Sequence, residues 1–200
     1  EADILVGTQM IVKGHDFPKV TLVGALAADM SLYTDDYRSG ERTFQLLTQA
    51  AGRAGRGDRP GEVVIQTYDP EHYAIEASAA QDYEAFYEKE IRYRSLMGYP
   101  PVENLMAVLA ACEDEALLEK ACKYLKEYIL RIKGQAQLNV IGPASPGVDK
   151  IKDIYRRVVY VKAPEYRTLV VLKDRMDQYI EINSGFQKMR IQFDFNPMNL

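Results

Sequence analysis

Residues 98–101, Gly-Tyr-Pro-Pro, separate two parts of the chain that have different patterns of helix and strand. Two helical stretches are predicted before these residues, at 71–80 and 82–97. The helical region is predicted to end here, because proline cannot continue a helix and disfavours helical backbone in the residue before it. We therefore place a domain boundary at this point. The sequence predicts a first domain at 1–70, a helical connector at 71–101 and a second domain at 102–200.

The part that follows residue 101 alternates strands with amphipathic helices. Its strands are predicted at 105–112, 138–141, 154–161 and 191–195, and its helices at 114–133 and 165–182. Both helices carry an apolar stripe at helical spacing, and the last strand alternates Ile191, Phe193 and Phe195 with polar residues. The order β-α-β-β-α-β predicts a split, ferredoxin-like α+β domain.

The part before residue 71 has the pattern of a parallel α/β sheet. Its strands are predicted at 3–6, 20–28 and 61–68, with a helix from Glu41 to about Ala54 between the last two. Continuous apolar strands that alternate with helices are typical of parallel sheets. Because the apolar run Ile4-Leu5-Val6 follows Glu1 almost at once, we expect this chain to begin inside a longer protein.

The composition excludes several classes of protein. Hydrophobic residues make up 47% and charged residues 27% of the chain, which is ordinary for a folded, soluble protein. Cys112 and Cys122 are too few and too badly spaced for a zinc site, so no metal is expected within the chain. The sequence holds no apolar run of about 18 residues, so we expect no membrane span and a cytoplasmic location.

Charge is distributed unevenly along the chain. The net charge of −4 argues against a generally basic nucleic-acid coat. Residues 150–173, however, carry seven bases and two acids. Any contact with nucleic acid is therefore expected to be local.

The stretch Gly7 to Pro18 leaves the first predicted strand at the carboxyl edge of the sheet, where open α/β sheets bind ligands. Glycine allows backbone to approach a phosphate closely. Thr8 and Gln9 can donate to phosphate oxygens, and Asp16 can accept from a ribose hydroxyl. By itself the stretch fits an ordinary connecting loop equally well.

The stretch Gln45 to Gly57 contains two Gly-Arg pairs at the end of the predicted helix. Arg53 and Arg56 lie three residues apart, so they share a helix face and can reach one anion. Arginine is always charged and binds phosphate in a bidentate way, as an arginine finger must. The competing interpretation is a solvated basic helix end that interacts with the helix dipole.

Together these two stretches resemble the last two motifs in the second RecA-like lobe of superfamily 2 helicases. Gln-x-x-Gly-Arg-Ala-Gly-Arg matches 49–56 without a gap. The resemblance implies that Arg53 and Arg56 face the nucleotide phosphates, with Arg56 as the finger. It also implies that Gln49 couples the nucleotide to the lobe, that Gly14 and Asp16 line the nucleotide side of the loop, and that Thr8 and Gln9 contact DNA.

Other segments narrow the resemblance to the family of primosomal protein N′, also called PriA. Asp-Tyr-Arg-Ser-Gly-Glu-Arg at 36–42 is similar to a family motif, as are Glu-Ile-Arg at 90–92 with Tyr-Pro-Pro at 99–101, and Gly-Pro at 142–143. The likeness covers the whole chain. The family tends to close with Asp-x-Asp-Pro, whereas this chain has Asp-Phe-Asn-Pro at 194–197.

The resemblance implies the C-terminal part of an ATP-dependent 3′-to-5′ DNA helicase that restarts stalled replication forks and loads the primosome. The longer protein is then expected to use ATP and magnesium and to hold zinc outside this chain. Its expected partners are single-stranded and branched DNA, primosome proteins and single-stranded-DNA-binding protein. No Gly-x-x-x-x-Gly-Lys-Ser/Thr phosphate loop occurs, so the chain alone is predicted to be inactive as an ATPase.

A third group of candidate residues lies in and before the predicted strand at 154–161. Bases interleaved with aromatic residues suit single-stranded nucleic acid, because phosphates meet cations and bases stack on rings. The predicted DNA contacts are Lys150, Lys152, Arg156 and Arg157, with Tyr155 or Tyr160 for stacking. Edge strands also carry Lys and Arg simply to prevent aggregation.

Two alternatives remain open. The chain could be part of another superfamily 2 translocase, such as one that migrates branched DNA, although the Tyr-Pro-Pro element and the ferredoxin-like part argue against it. It could also be a stand-alone nucleic-acid-binding module akin to a ribosomal protein, which would leave the Gly-Arg pairs unexplained.

Overall fold

The structure, a computed structural model, describes residues 3–12, 19–34, 36–55 and 60–198. The chain divides into two compact units, Glu1–Arg92 and Tyr93–Leu200. The described residues are mixed α/β, with a small parallel sheet in the first unit and an antiparallel sheet in the second. None of the helices in the described ranges is long and apolar enough to cross a membrane.

The first unit is built around two parallel strands and the helices that accompany them. Its elements are α1 (Gln9–Val12), β1 (Leu22–Ala25), a 3₁₀ turn (Ala28–Ser31), α2 (Ser39–Ala51), β2 (Glu62–Ile65), α3 (Tyr73–Ala80) and α4 (Tyr83–Met97), which contains the boundary between the units. The predicted parallel pairing is confirmed, since Leu22 pairs with Glu62 and Ala25 with Ile65.

The apolar stripe of α2 forms most of the core of the first unit. Phe44 and Leu47 are buried on it together with Ala74 and Ile75 of α3. The ring of Phe44 stacks on that of Phe86 in α4, with 4.4 Å between the ring centroids. The spacing of Phe44 and Leu47 on one side of the helix therefore explains which face of α2 is buried.

The prediction of a buried strand at 3–6 is wrong. The structure assigns these residues no strand, and the side chains of Ile4 and Val6 are 81% and 85% exposed. A strand needs a hydrogen-bonded neighbour, and among the described residues β1 and β2 pair only with each other. Hydrophobicity alone thus indicated burial where the described chain supplies no partner strand.

The second unit is a sheet with two long helices. Its elements are β3 (Asn104–Cys112), α5 (Glu115–Ile132), β4 (Asn139–Ala144), β5 (Lys150–Ile151), β6 (Ile154–Ala163), α6 (Tyr166–Ile182), a 3₁₀ turn (Ser184–Phe186) and β7 (Arg190–Phe195). The strand order is β4-β6-β3-β7, every neighbouring pair is antiparallel, and the short β5 pairs with β6.

The two faces of this sheet differ. On the first face, α5 and α6 pack on alternate residues of β3 and β6, including Met106, Val108 and Val161. On the second face, the antiparallel register places the intervening residues side by side: Ala107 of β3 opposes Tyr160 of β6 and Asp194 of β7. Side chains on this second face are the ones left for contacts other than the helix layer.

Candidate nucleic-acid interface

The helicase-like residues of the first unit are only partly within the described residues. Gly14, Asp16 and Arg56 lie outside them. Thr8 and Gln9 are exposed, next to and at the start of α1, where the Thr8 hydroxyl accepts from the Met10 amide at 3.5 Å.

Gln49 and Arg53 lie at the carboxyl end of α2. Gln49 is exposed in the last turn, and Arg53 is half-buried in the turn that follows the helix. Gly55 has a φ of +71°, and a Cβ there would meet the backbone nitrogen of Gly61 at 2.6 Å. The glycine is therefore required by a close approach of two backbone segments, so this part of the motif has a structural cause as well.

The donor chemistry at the end of α2 fits the phosphates of ATP in part. An exposed amide at Gln49 and a guanidinium at Arg53 are both suited to an anion. Within the described ranges no group of three acidic, histidine or cysteine side chains could hold a metal ion. The described residues at this end of α2 thus fit the phosphates of a nucleotide.

Cys112 and Cys122 lie in the core of the second unit as free thiols. Burial and the nearby Glu119 raise the pKa of Cys122 to about 11. A thiol with this pKa stays neutral at physiological pH, whereas the thiolate is the form that binds metals. Cys122 therefore stays a thiol in the core, where Cys112 is buried as well.

The two predicted lysines lie on a tight hairpin that joins β5 to β6. Lys152 and Asp153 form its two-residue turn, with φ of +48° and +63°. Lys150 pairs with Asp153 at 2.9 Å, its ammonium lies 4.6 Å from the centre of the Tyr155 ring, and the hydrogen bond to Asp153 raises the pKa of Lys150. Both lysines are exposed, so the hairpin presents two cations to solvent.

Arg157 points to the first face of the sheet, under α5. Its guanidinium donates to Glu119 and, at 2.7 Å, to Glu115. The side chain of Arg157 is only 10% exposed, and the hydrogen bond to Glu119 raises its pKa. The structure therefore gives Arg157 a role in joining β6 to α5 and leaves its guanidinium committed to carboxylates.

Arg156 points to the second face, where Arg190 lies near it. The sequence pattern did not identify Arg190 as a candidate. Ala111 of β3 opposes Arg156 of β6 on one side and Arg190 of β7 on the other. The two arginines thus flank a small residue, with their Cα atoms roughly 10 Å apart, since neighbouring strands are about 4.8 Å apart. Alternation of Arg190, Gln192 and Asp194 with the apolar residues of β7 was the signal that could have identified Arg190.

Comparison with known proteins shows the family of the chain. A family model described as "Primosomal protein N C-terminal domain" matches residues 95–198. The chain belongs to the primosomal protein N family. Proteins named "Replication restart protein PriA" are 41% identical over 98% of this chain in Bacillus subtilis, 39% over all of it in Synechocystis, and 34% over all of it in Haemophilus influenzae.

The chain spans about a quarter of the length of these relatives: 24%, 23% and 27%. Within the residues matched by the family model, the Tyr-Pro-Pro element at 99–101 is contacted by Lys162. The ammonium of Lys162 donates to the Met97 carbonyl at 2.7 Å and lies 3.8 Å from the centre of the Tyr99 ring. This buried lysine joins β6 to the element that precedes β3.

Proposed function

We propose that this chain is part of an ATP-dependent 3′-to-5′ DNA helicase that restarts stalled replication forks and loads the primosome. Membership of the primosomal protein N family supports the proposal, as does the name replication restart protein carried by its relatives. The longer protein would use ATP and magnesium and would hold zinc outside this chain. Its partners would be single-stranded and branched DNA, primosome proteins and single-stranded-DNA-binding protein.

We assign the two units to a RecA-like second helicase lobe and to a ferredoxin-like domain. The parallel pair β1 and β2, with α2 between them in sequence, supports the first assignment. The order β4-β6-β3-β7 supports the second, because each pair of strands joined through a helix is separated by one antiparallel strand.

In the first unit, Arg53 and Arg56 would act on the phosphates of ATP, with Gln49, Gly14 and Asp16 beside the nucleotide and Thr8 and Gln9 on DNA. ATP supplies the free energy for translocation, and an arginine finger stabilises charge that develops on the transferred phosphoryl group. The position of Gln49 and Arg53 at one end of α2 is compatible with this assignment.

The test of this site uses a full-length relative. Arg56→Ala is expected to lower the turnover number for ATP by about 10³-fold while DNA binding survives, because the finger acts mainly in the transition state. Wild-type turnover in the variant would reject the assignment. The 200-residue chain alone is expected to show no DNA-stimulated ATPase activity above a mock purification.

The DNA contact of the second unit is assigned to its second face. The observation that carries this assignment is the register that sets Arg156 and Arg190 on either side of Ala111. Lys152 adds an exposed cation in the turn of the adjoining hairpin, whereas Lys150 opposes Tyr155 and therefore lies towards the first face. Arg157 is not part of the proposed interface, because its guanidinium binds Glu115 and Glu119.

The test of this interface is single-stranded DNA binding by the 200-residue chain. Arg156→Ala and Arg190→Ala should each weaken binding and reduce the slope of log affinity against log salt by about 0.7, the value for one phosphate contact on a single strand. Arg131→Ala is the matched control, because it removes the same charge from an exposed position on α5. Equal losses in all three variants would assign binding to overall charge instead.

A further inference from the structure

A cavity of about 280 Å³ opens in the second face of the second unit. Ala107 and Leu109 of β3 line it from the sheet, beside Tyr160 of β6. Its remaining lining comes from Pro146, Gly147 and Val148 between β4 and β5, from Arg156 of β6, and from Pro197 after β7. The cavity thus lies beside the proposed phosphate contacts and was not identified from the sequence.

The lining of the cavity suits a flat, mostly apolar group. Among its lining residues, Tyr160 and Arg156 have polar side chains and the others are apolar. Its volume falls just below the roughly 300 Å³ at which pockets for small molecules begin, so a single ring system fits better than a larger ligand. The faces of an aromatic ring and of proline rings are surfaces on which a base can stack.

The two ends of the cavity differ in charge. The Arg156 guanidinium donates to the Val148 carbonyl at 3.3 Å, which holds the 146–148 wall next to a positive charge. Arg190 lies beyond Ala111 on the same side. At the Tyr160 end, Ala107 is flanked by Asp194, whose carboxylate repels phosphate. A phosphate is therefore favoured at the arginine end, and the group attached to it extends towards Tyr160.

We propose that this cavity takes one unpaired base of single-stranded DNA while Arg156 and Arg190 hold the adjacent phosphates. The proposal rests on the DNA contact assigned to this face under the proposed function. A paired base is stacked inside the duplex and has to leave the stack to enter a pocket. The cavity therefore selects for single-stranded segments, such as those at a branch, over continuous duplex.

The deciding experiment compares two ligands that carry equal charge. A thymine homopolymer and an abasic strand with the same number of phosphates are titrated against the 200-residue chain at the same ionic strength. The abasic strand is expected to bind about ten-fold more weakly, which corresponds to the stacking of one base. Equal affinity would overturn the base site and leave the phosphate contacts standing, whereas no binding of either strand would refute the proposed DNA contact itself.

Two variants locate the effect in the cavity. Ala107→Leu fills it, and Tyr160→Leu removes its aromatic wall; each should lower the affinity for the thymine strand to that for the abasic strand. Ala116→Leu, the same enlargement at an exposed position on α5, should preserve the ten-fold preference. Far-ultraviolet circular dichroism identifies the variants that fold. If Ala107→Leu does not fold, Tyr160→Leu alone tests the base site. A folded cavity variant that keeps the full preference would refute the proposal.

Discussion

At the scale of single residues, the period of two along a strand predicted which side chains share a face. This period places Arg156 and Tyr160 on the opposite face from Tyr155 and Arg157, and the structure shows the same arrangement. The sequence could not predict that Glu115 and Glu119 would bind Arg157, because these residues lie about 40 positions earlier. Arg190 was missed for the same reason, since only the sheet brings it near Arg156.

Asp29 shows how one residue can hold a loop in place. Asp29 lies in the 3₁₀ turn that follows β1, and it is buried. Its carboxylate accepts hydrogen bonds from the Thr67 hydroxyl and from the backbone amides of Tyr68, at 2.8 Å, and Asp69, at 3.4 Å. The Thr67 hydroxyl is the main cause of the lowered pKa of Asp29. A carboxyl with a lowered pKa in the folded state stabilises the fold above its unfolded pKa of 3.8 and ceases to do so as the pH falls through its folded pKa.

We therefore expect Asp29→Asn to lower the urea midpoint of the first unit at pH 7. The difference from wild type should narrow as the pH falls below 3.8, because the carboxyl of the unfolded chain is protonated first, and it should disappear once the pH falls through the lowered pKa of the folded state. Urea titrations over a pH series measure both effects, with Asp69→Asn as a control at a neighbouring carboxyl. A difference that stayed constant down to acid pH would show that charge on Asp29 contributes nothing.

At the scale of elements, helices and long strands were predicted better than short ones. The helices at 114–133 and 165–182 and the strand at 105–112 are found within a few residues, because long periodic patterns are specific. The β5–β6 hairpin was missed, since its turn is Lys152-Asp153 and lacks the glycine that usually marks a type I′ turn. Gly142, in contrast, is explained: its φ is +106°, and a Cβ would meet the Val158 carbonyl at 2.7 Å.

Because Asp153 adopts a φ of +63°, glycine should fit that position with less strain. Asp153→Gly is expected to raise the free energy of unfolding of the second unit by about 1 kcal/mol, since left-handed backbone costs other residues about that much. The exposed ion pair with Lys150 is a small loss. Asp153→Ala removes the same carboxylate but keeps a Cβ, so it should not stabilise the second unit. Urea unfolding measures the free energy of unfolding of both variants. Equal effects of the two substitutions would exclude strain in the turn as the cause.

At the scale of the whole chain, the structure divides into two compact units, Glu1–Arg92 and Tyr93–Leu200. The division lies between Arg92 and Tyr93, inside α4, whereas the sequence predicted that the second domain begins at 102. Proline and glycine at 98–101 stop the helix, which is why the sequence indicated a boundary there. The pattern could not reveal that Lys162, about 60 residues later, binds the end of that helix.

The contact between Lys162 and residues 97–99 decides how much of the chain the second unit needs. Lys162 is 6% exposed, and burial lowers its pKa. In a chain of residues 93–200 its ammonium keeps the Met97 carbonyl and the Tyr99 ring. In a chain of residues 102–200 both partners are gone, and water replaces them.

We therefore expect residues 93–200 to unfold at a higher urea concentration than residues 102–200. Lys162→Met should destabilise the longer chain by about 2 kcal/mol, because it removes a hydrogen bond made by a charged group together with a cation–π contact. In the shorter chain the same substitution should change the free energy of unfolding little. The four free energies form a double-mutant cycle that isolates this one contact, and a coupling energy near zero would mean that residues 93–101 do not belong to the folded core of the second unit.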